Sequence, residues 1–395
     1  MTPAARQAAA IAILDRTLAG QSAEQALTQW ARGSRFAGSG DREAVRDLVF
    51  SAIRQRRSAQ VLGGGETGRA LLLGLRRADA AVPGSVPDPV TDWTGAQHSP
   101  APLDATEQAL FASPTPPLTR AEALDCPDWL LPHFDAALGE RADAVLSLMR
   151  GRAPVFLRVN AAATTPGAAQ AELAADGVET RPHPLARHAL EVVANPRRIR
   201  NSAAYREGRV ELQDAASQAV TEALVAHLTP GTRVLDYCAG GGGKALALAA
   251  EGMAVSAHDA DPRRMRDLPE RARRAGARIT VLPGAASGQW PVVLADAPCS
   301  GSGSWRRAPE AKWALTPARL EELTRIQAQI LHDCAALTAP GGLLAYATCS
   351  LFGAENDAQI AAFLTREPGW QALSTHHFTP LDGGDGFFLS VLRRV

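Results

Sequence analysis

The sequence predicts an α/β protein: a parallel, doubly wound sheet in the C-terminal part, preceded by a small α+β module and an all-helical N-terminal region. Three observations carry this expectation. From about residue 215 onward, short apolar runs alternate regularly with helical stretches, the pattern of a parallel sheet covered on both faces. Four glycines, Gly240 to Gly243, stand where the first of these strands turns into its helix, near the place where such sheets bind ligands. Residues 1–60, by contrast, space their apolar side chains only at helical intervals.

In the N-terminal region Ile11, Leu14 and Leu18 mark one helix, and Val45, Leu48, Val49 and Ile53 another. Residues 33–40 break between them, and Asp41 reads as the N-cap of the second. A further helix covers about 69–78. Residues 81–117 hold eight prolines and little periodicity, which reads as an irregular connector. Helical spacing returns over 127–150.

PVFLRVN (154–160) reads as a strand, 166–176 as a helix, and 188–193 and 209–212 as short strands. The regular region then runs through helix 215–228, strand 233–238, helix 243–251, strand 254–259 and helix 261–275. Strands 278–282 and 291–298, helix 317–338, strand 342–350, helix 355–366 and a hairpin-like tail at 387–394 complete it. The expected domains are 1–120, 121–214 and 215–395.

Composition narrows the function. The formal net charge is zero, so any contact with nucleic acid must be local, with arginine clusters at 54–57, 197–200 and 271–274 as candidates. Of 41 basic residues only Lys244 and Lys312 are lysine. A compact ammonium does not interchange with a planar guanidinium, so both mark places where the fork would not serve. Five scattered cysteines form no CxxC pair, which argues against a disulfide framework or a metal site. No apolar run approaches the ~18 residues of a membrane span, and the first residues lack a cleavable leader pattern. The expectation is a cytoplasmic protein without membrane or metal.

The stretch VLDYCAGGGGKALALAA (234–250) suggests a phosphate loop. That pattern needs a glycine five residues before its GK pair and Ser or Thr after it; here Cys238 and Ala245 stand there. The glycines still let backbone N–H groups approach a ligand at a helix N-terminus. Asp259, ending the second strand, suits the two hydroxyls of a ribose. The GxGxxG spacing of dinucleotide binders is missing, which shifts the cofactor from NAD toward S-adenosylmethionine.

DAPCSGSGSWRRAPEAKW (296–313) and YATCS (346–350) both close predicted strands. Cys299 and Cys349 should therefore emerge on the same rim as the glycine loop, whereas a structural thiol more often sits in mid-strand. Two thiols beside a nucleoside site suit methylation of a pyrimidine at carbon 5. A thiolate adds to carbon 6 and makes carbon 5 nucleophilic; a base later removes the carbon-5 proton and the thiol leaves. Asp296 is the nearest acid for ring nitrogen 3, or else a cap for backbone amides. Trp305 either stacks on a base or packs.

These motifs resemble the Nop/Sun family of RNA 5-methylcytosine methyltransferases, and within it the bacterial enzymes of 16S rRNA. The likeness covers roughly 124–395 through CPDWLLPHF, FLRVNA, VELQDAASQ, the loops just described, YATCS…EN and a terminal GDGFF. More faintly, the N-terminal helices resemble a NusB-like RNA-binding domain. The resemblance implies a Rossmann-like S-adenosylmethionine-dependent methyltransferase fold acting on RNA, most nearly 16S rRNA; separately, a monomer is expected, although the sequence itself is silent on oligomeric state. It implies Cys349 as nucleophile, Cys299 as the thiol that assists release, Asp296 beside the base and Lys244 lining the active site, with Lys312 in the loop after the Cys299 motif. It also implies a cofactor held by Cys238, Ala239, Gly240, Gly241, Gly242, Lys244, Asp259, Arg264 and Asp296.

Two departures stand out. Where the family loop reads DxCAAPGGKT, this chain has Gly240-Gly241 for Ala-Pro and Ala245 for Thr, which raises the entropic cost of ordering the loop. No acidic residue follows the third strand in LPGAAS (282–287). Other readings are a non-catalytic RNA-binding or ribosome-assembly factor with a degenerate cofactor loop, a tRNA cytosine-5 methyltransferase, and a small-molecule methyltransferase. The last would need neither the paired thiols nor the helical region.

Overall fold

The computed structural model describes residues 1–80, 90 and 92–395. They form two compact units, one of residues 1–135, 139–152 and 305–314, the other of 136–138, 153–304 and 315–395.

The first unit is helical. Helices Pro3–Leu18, Ala23–Gly33, Ser39–Arg54, Arg56–Gly63 and Gly68–Ala80 enclose a core that includes Ile13, Leu14, Leu27, Val45, Val49, Ile53 and Leu71 to Leu73. Asp41 is not the N-cap of its helix. Gly38 holds that place, and the Asp41 carboxylate reaches back to accept the Gly38 N–H at 3.1 Å, so the helix starts inside the glycine-rich break. Of the expected connector 81–117, residues 81–89 and 91 lie outside the described ones. The rest is not wholly irregular, because Ala105–Ala112 is a helix. Its start is a capping box: Glu107 N–H donates to Asp104 at 2.9 Å and Asp104 N–H to Glu107 at 3.0 Å, which outweighs the surrounding prolines.

Residues 305–314 belong to this unit. Trp305 is buried, its ring 6.0 Å from that of Phe134, so it packs and offers no platform for a base. Lys312 Nζ donates to the carbonyls of Asp125 at 2.5 Å and Arg54 at 3.4 Å, and burial lowers its pKa to about 8. The 54–57 cluster is committed internally rather than presented to nucleic acid. Buried Arg54 donates to Arg306 O at 2.8 Å, Arg57 pairs with Asp128 at 2.8 Å, and Arg56 lies over the Trp313 ring.

The second unit contains two sheets. Strands β1 (Val155–Val159), β2 (Glu179–Pro182), β3 (Ala189–Ala194) and β4 (Val210–Leu212) pair antiparallel in the order β2-β3-β1-β4. Helix Pro166–Ala175 packs Ala169 and Leu173 against Leu157, Val159, Leu190 and Val210. Strand β2 carries no apolar alternation and is mostly exposed, so its sequence gives no sign of it.

The large sheet comprises β5 (Arg233–Asp236), β6 (Ala254–Ala257), β7 (Ile279–Val281), β8 (Trp290–Asp296), β9 (Thr338–Thr348), β10 (Trp370–Phe378) and β11 (Phe387–Arg394), in the order β10-β11-β9-β8-β5-β6-β7. Five strands are parallel, as expected. The C-terminal tail instead inserts antiparallel between β9 and β10, so the sheet is mixed. Alternate residues serve opposite faces: Val234, Val292, Leu294, Ala345 and Leu389 pack on helices Ala215–Val225 and Gly243–Ala250. Leu235, Val293, Leu344, Tyr346 and Phe388 pack on Pro317–Leu337 and Asp357–Arg366. The single helix expected over 261–275 is split into a 3-10 turn, Pro262–Met265, and helix Leu268–Arg274, each with a proline among its first two residues, which suits a first turn but not a helix interior. No helix among the described residues is long and apolar enough to cross a membrane.

Candidate active site

Chain direction reverses between β5 and β8: the strands run outward through β6 and β7, then return to the other side. The crevice beyond the carboxyl ends at such a switch point is where open α/β sheets take ligands. Three loops meet there, following β5, β8 and β9.

The glycine loop after β5 is pinned by its backbone. Ala239 N–H donates to His258 O and Gly242 N–H to Ala239 O, at 2.9 and 2.8 Å, and Gly240 N–H donates to Asp259 Oδ2 at 2.9 Å. Arg271 donates to Gly241 O. Gly242 has φ +80°, and a Cβ there would lie 2.2 Å from Leu268 Cδ1; only glycine fits. Asp259 is buried, its Oδ2 paired with Arg264 at 3.3 Å. Cys238 is half-buried, and burial pushes its thiol well up, the signature of an inert sulfur.

Asp236, closing β5, is fully buried, and no side chain among the described residues hydrogen-bonds its carboxylate, which faces the Ala245 N–H. Burial first, and then the Asp296 charge, raise its pKa to about 7. A buried carboxylate on one strand end, an arginine-paired one on the next and a loop in which Gly242 leaves no room for a Cβ fit a nucleoside cofactor.

Lys244 lies in the first turn of helix Gly243–Ala250 and is 6% exposed. Its Nζ donates to Asp296 Oδ2 at 2.7 Å and sits 4.9 Å from the Phe387 ring centre. Burial opposes the Lys244 charge, yet Asp296 outweighs it and leaves the ammonium pKa above its ordinary value. The thiols complete the rim: Cys299 Sγ and Cys349 Sγ are 3.4 Å apart. The hydrogen bond shared with Cys299 holds Cys349 below its ordinary pKa, against burial and Asp296 and with help from Lys244. The same bond, with burial, raises Cys299 well above its own. These opposite directions make Cys349 the more acidic thiol of the pair and Cys299 the less acidic one.

Buried Glu355 ties the two thiol loops together. Its carboxylate accepts from Ser300 N–H at 2.8 Å and Gln327 Nε2 at 2.9 Å, and from the hydroxyls of Ser300 and Ser350. Ser302 Oγ adds a link to Ser350 Oγ at 3.0 Å and accepts Leu351 N–H at 2.8 Å. Asn356 bonds Thr348 and Ser350 O, at 2.6 and 2.9 Å. Gly303 packs so closely on Gly386 that a Cβ would lie 2.1 Å from its carbonyl oxygen.

Residues 223–392 match the family model described as 16S rRNA methyltransferase RsmB/F, and residues 126–199 match the RsmF/B-like ferredoxin-like domain. Together the two matches cover more than half of the chain. The chain belongs to the RsmB/F methyltransferase family. Ribosomal RNA small subunit methyltransferase B of Klebsiella pneumoniae is 33% identical over 286 residues, which is 67% of this chain and 65% of that protein. The protein of the same name from Xanthomonas campestris is 34% identical over 259 residues, 62% of this chain and 58% of its own. The chain thus spans 58% and 65% of the length of these two curated relatives, less than two thirds of either. A solved methyltransferase homolog from Pyrococcus horikoshii superposes with TM-score 0.61 at 23% identity, covering 70% of this chain and 98% of its own. The structure of PH0851 gives TM-score 0.76 at 20% identity over 99% of both chains. Both likenesses establish the fold.

In this RsmB/F-family chain the sequence-predicted residues fall into two neighbouring groups: Cys299, Cys349, Asp296 and Lys244, and Cys238 to Gly242 with Asp259 and Arg264. Sequence reasoning passed over Asp236, used only as a strand end, and the Glu355 network. The EN pair of the YATCS…EN motif was the one available signal for the latter.

Proposed function

We propose that this chain methylates carbon 5 of a cytosine in 16S rRNA, using S-adenosylmethionine, through a covalent bond between Cys349 and the base. The observation that carries the reading is the thiol pair, 3.4 Å apart and oppositely shifted, on adjacent strand ends beside Lys244 and Asp296. Bound in the crevice, S-adenosylmethionine supplies an electrophilic methyl group. Asp236, the loop Cys238 to Gly242, Asp259 and Arg264 would hold it.

Cys349 Sγ gives its electron pair to carbon 6 of the cytosine, and the displaced ring electrons make carbon 5 the nucleophile. Asp296, anchored by Lys244, stands by ring nitrogen 3. After methylation a base removes the carbon-5 proton, the pair left behind re-forms the ring double bond, and the carbon–sulfur bond breaks. Cys299, holding its proton 3.4 Å away, assists that departure. Residues 1–120 and the β1–β4 module would contact RNA, with the target base taken out of its stack. The reading places the chain in the cytoplasm as a monomer.

The test is transfer of labelled methyl groups to unmethylated small-subunit rRNA and, in parallel, to tRNA, followed by nucleoside analysis. The expected result is 5-methylcytosine at one rRNA position. Label only in tRNA would move the substrate, and label on a nitrogen would remove the thiol chemistry.

A further inference from the structure

Opposite the thiols, at the amino ends of β6 and β7, lies a cavity of about 170 Å³ lined by Arg158, Asn160, Glu211, Leu246, Met253 and Arg278, among others. It has room for about five waters at ~30 Å³ each. Arg158, on the central strand β1, is 6% exposed. Among the described residues its guanidinium makes no hydrogen bond or ion pair, and its Nε is buried without a partner.

The natural counter-charge is already spoken for. Glu211 faces Arg158 across the β1–β4 pair, but its Oε2 accepts from Arg274 at 2.7 Å and Arg271 at 3.4 Å. Glu251, the other carboxylate felt by Arg158, is shared by His188 at 3.2 Å and Arg187 at 3.6 Å. Asn160 spends its amide on the carbonyls of Gly208 and Ala275, both at 2.9 Å. Arg278 adds a second unpaired guanidinium, exposed among the lining residues. Burial lowers the Arg158 pKa to about 10, so it is still a cation at neutral pH. A buried cation without partners calls for compensation.

We propose that this cavity binds one phosphate group, held by the fork of Arg158 from within and by Arg278 from the exposed side. Guanidinium geometry matches phosphate oxygens two at a time, and the apolar Leu246 and Met253 leave the arginines as the ordering contacts. The phosphate is either free in solution or part of an RNA backbone; the second source rests on the RNA reading above.

Calorimetric titration of the full chain with inorganic phosphate, and unfolding in phosphate against chloride at equal ionic strength, test the site without any methyl transfer. One saturable event and a rise in Tm of about 2 °C or more are expected. Arg278→Ala, a surface change, should weaken phosphate about tenfold, and Arg158→Met should abolish the effect. If Arg158→Met does not fold, the wild type and Arg278→Ala still decide. Displacement of phosphate by a short single-stranded RNA assigns the site to an RNA phosphate, and its failure to displace assigns it to free phosphate. No saturable heat in the wild type, or an unchanged response in Arg278→Ala, overturns the proposal.

Discussion

Lys244 shows why a chain so rich in arginine keeps an ammonium at this rim. Its single point charge serves Asp296 at 2.7 Å and lies near Cys349 in a space closed by Phe387. Replacing it by methionine removes a charge that lowers the Cys349 pKa. Alkylation of Cys349, followed by mass spectrometry against pH, should then shift to higher pH; an unshifted profile would remove Lys244 from the activation of the thiol. Asp236 titrates the other way. Its folded pKa of about 7 exceeds its ordinary 3.8, so the folded state holds the proton more tightly and stability falls as pH rises between those values. Asp236→Asn is expected to match the wild type near pH 4 and to gain on it up to pH 7, by about 4 kcal/mol at most. Urea unfolding of both proteins across that range checks the sign, and a pH-independent difference contradicts it.

The elements were legible where local chemistry decides them and hidden where tertiary partners do. Strands β5, β6, β8 and β9 announce themselves as apolar runs, and their ends place both thiols. Strand β10 is largely exposed and polar, so nothing in its composition separates it from a loop. Helix Ala105–Ala112 was obscured by neighbouring prolines, although its capping box lies in the sequence. Glu355 could not be assigned, because what makes it important is burial among Ser300, Ser350 and Gln327, brought from two other segments. Glu355→Ala leaves those donors unpaired. It should cost about 3 kcal/mol in denaturant unfolding and loosen the thiol pair, so that Cys299 and Cys349 react independently with an alkylating reagent. Retained stability would show the network to be dispensable.

At the scale of the whole molecule, zero net charge leaves the proposed RNA affinity to local groups, and the structure reduces the candidates. The 54–57 cluster is consumed within the helical unit. In 271–274, Arg271 and Arg274 serve Glu211, and Arg273 pairs with Glu270 at 2.7 Å. The cluster on the 3-10 turn Pro196–Asn201 keeps Arg197, Arg198 and Arg200 exposed. Arg198→Glu with Arg200→Glu is therefore expected to weaken binding of an rRNA fragment by about tenfold. The salt slope of log affinity should shrink by roughly 1.4, at ~0.7 per lost phosphate contact, with thermal stability unchanged. Fluorescence anisotropy over a salt series reads both, and an unaltered slope would place the RNA elsewhere.

The division of labour between the thiols is the centre of the proposed chemistry, and trapping the covalent intermediate tests it most directly. Each protein is incubated with rRNA and S-adenosylmethionine, denatured, and examined by gel shift and mass spectrometry. Cys299→Ala should accumulate a protein–RNA adduct through Cys349, the wild type should turn over without accumulating one, and Cys349→Ala should yield neither adduct nor product. An adduct that persists in Cys349→Ala and is absent from Cys299→Ala would contradict the assignment.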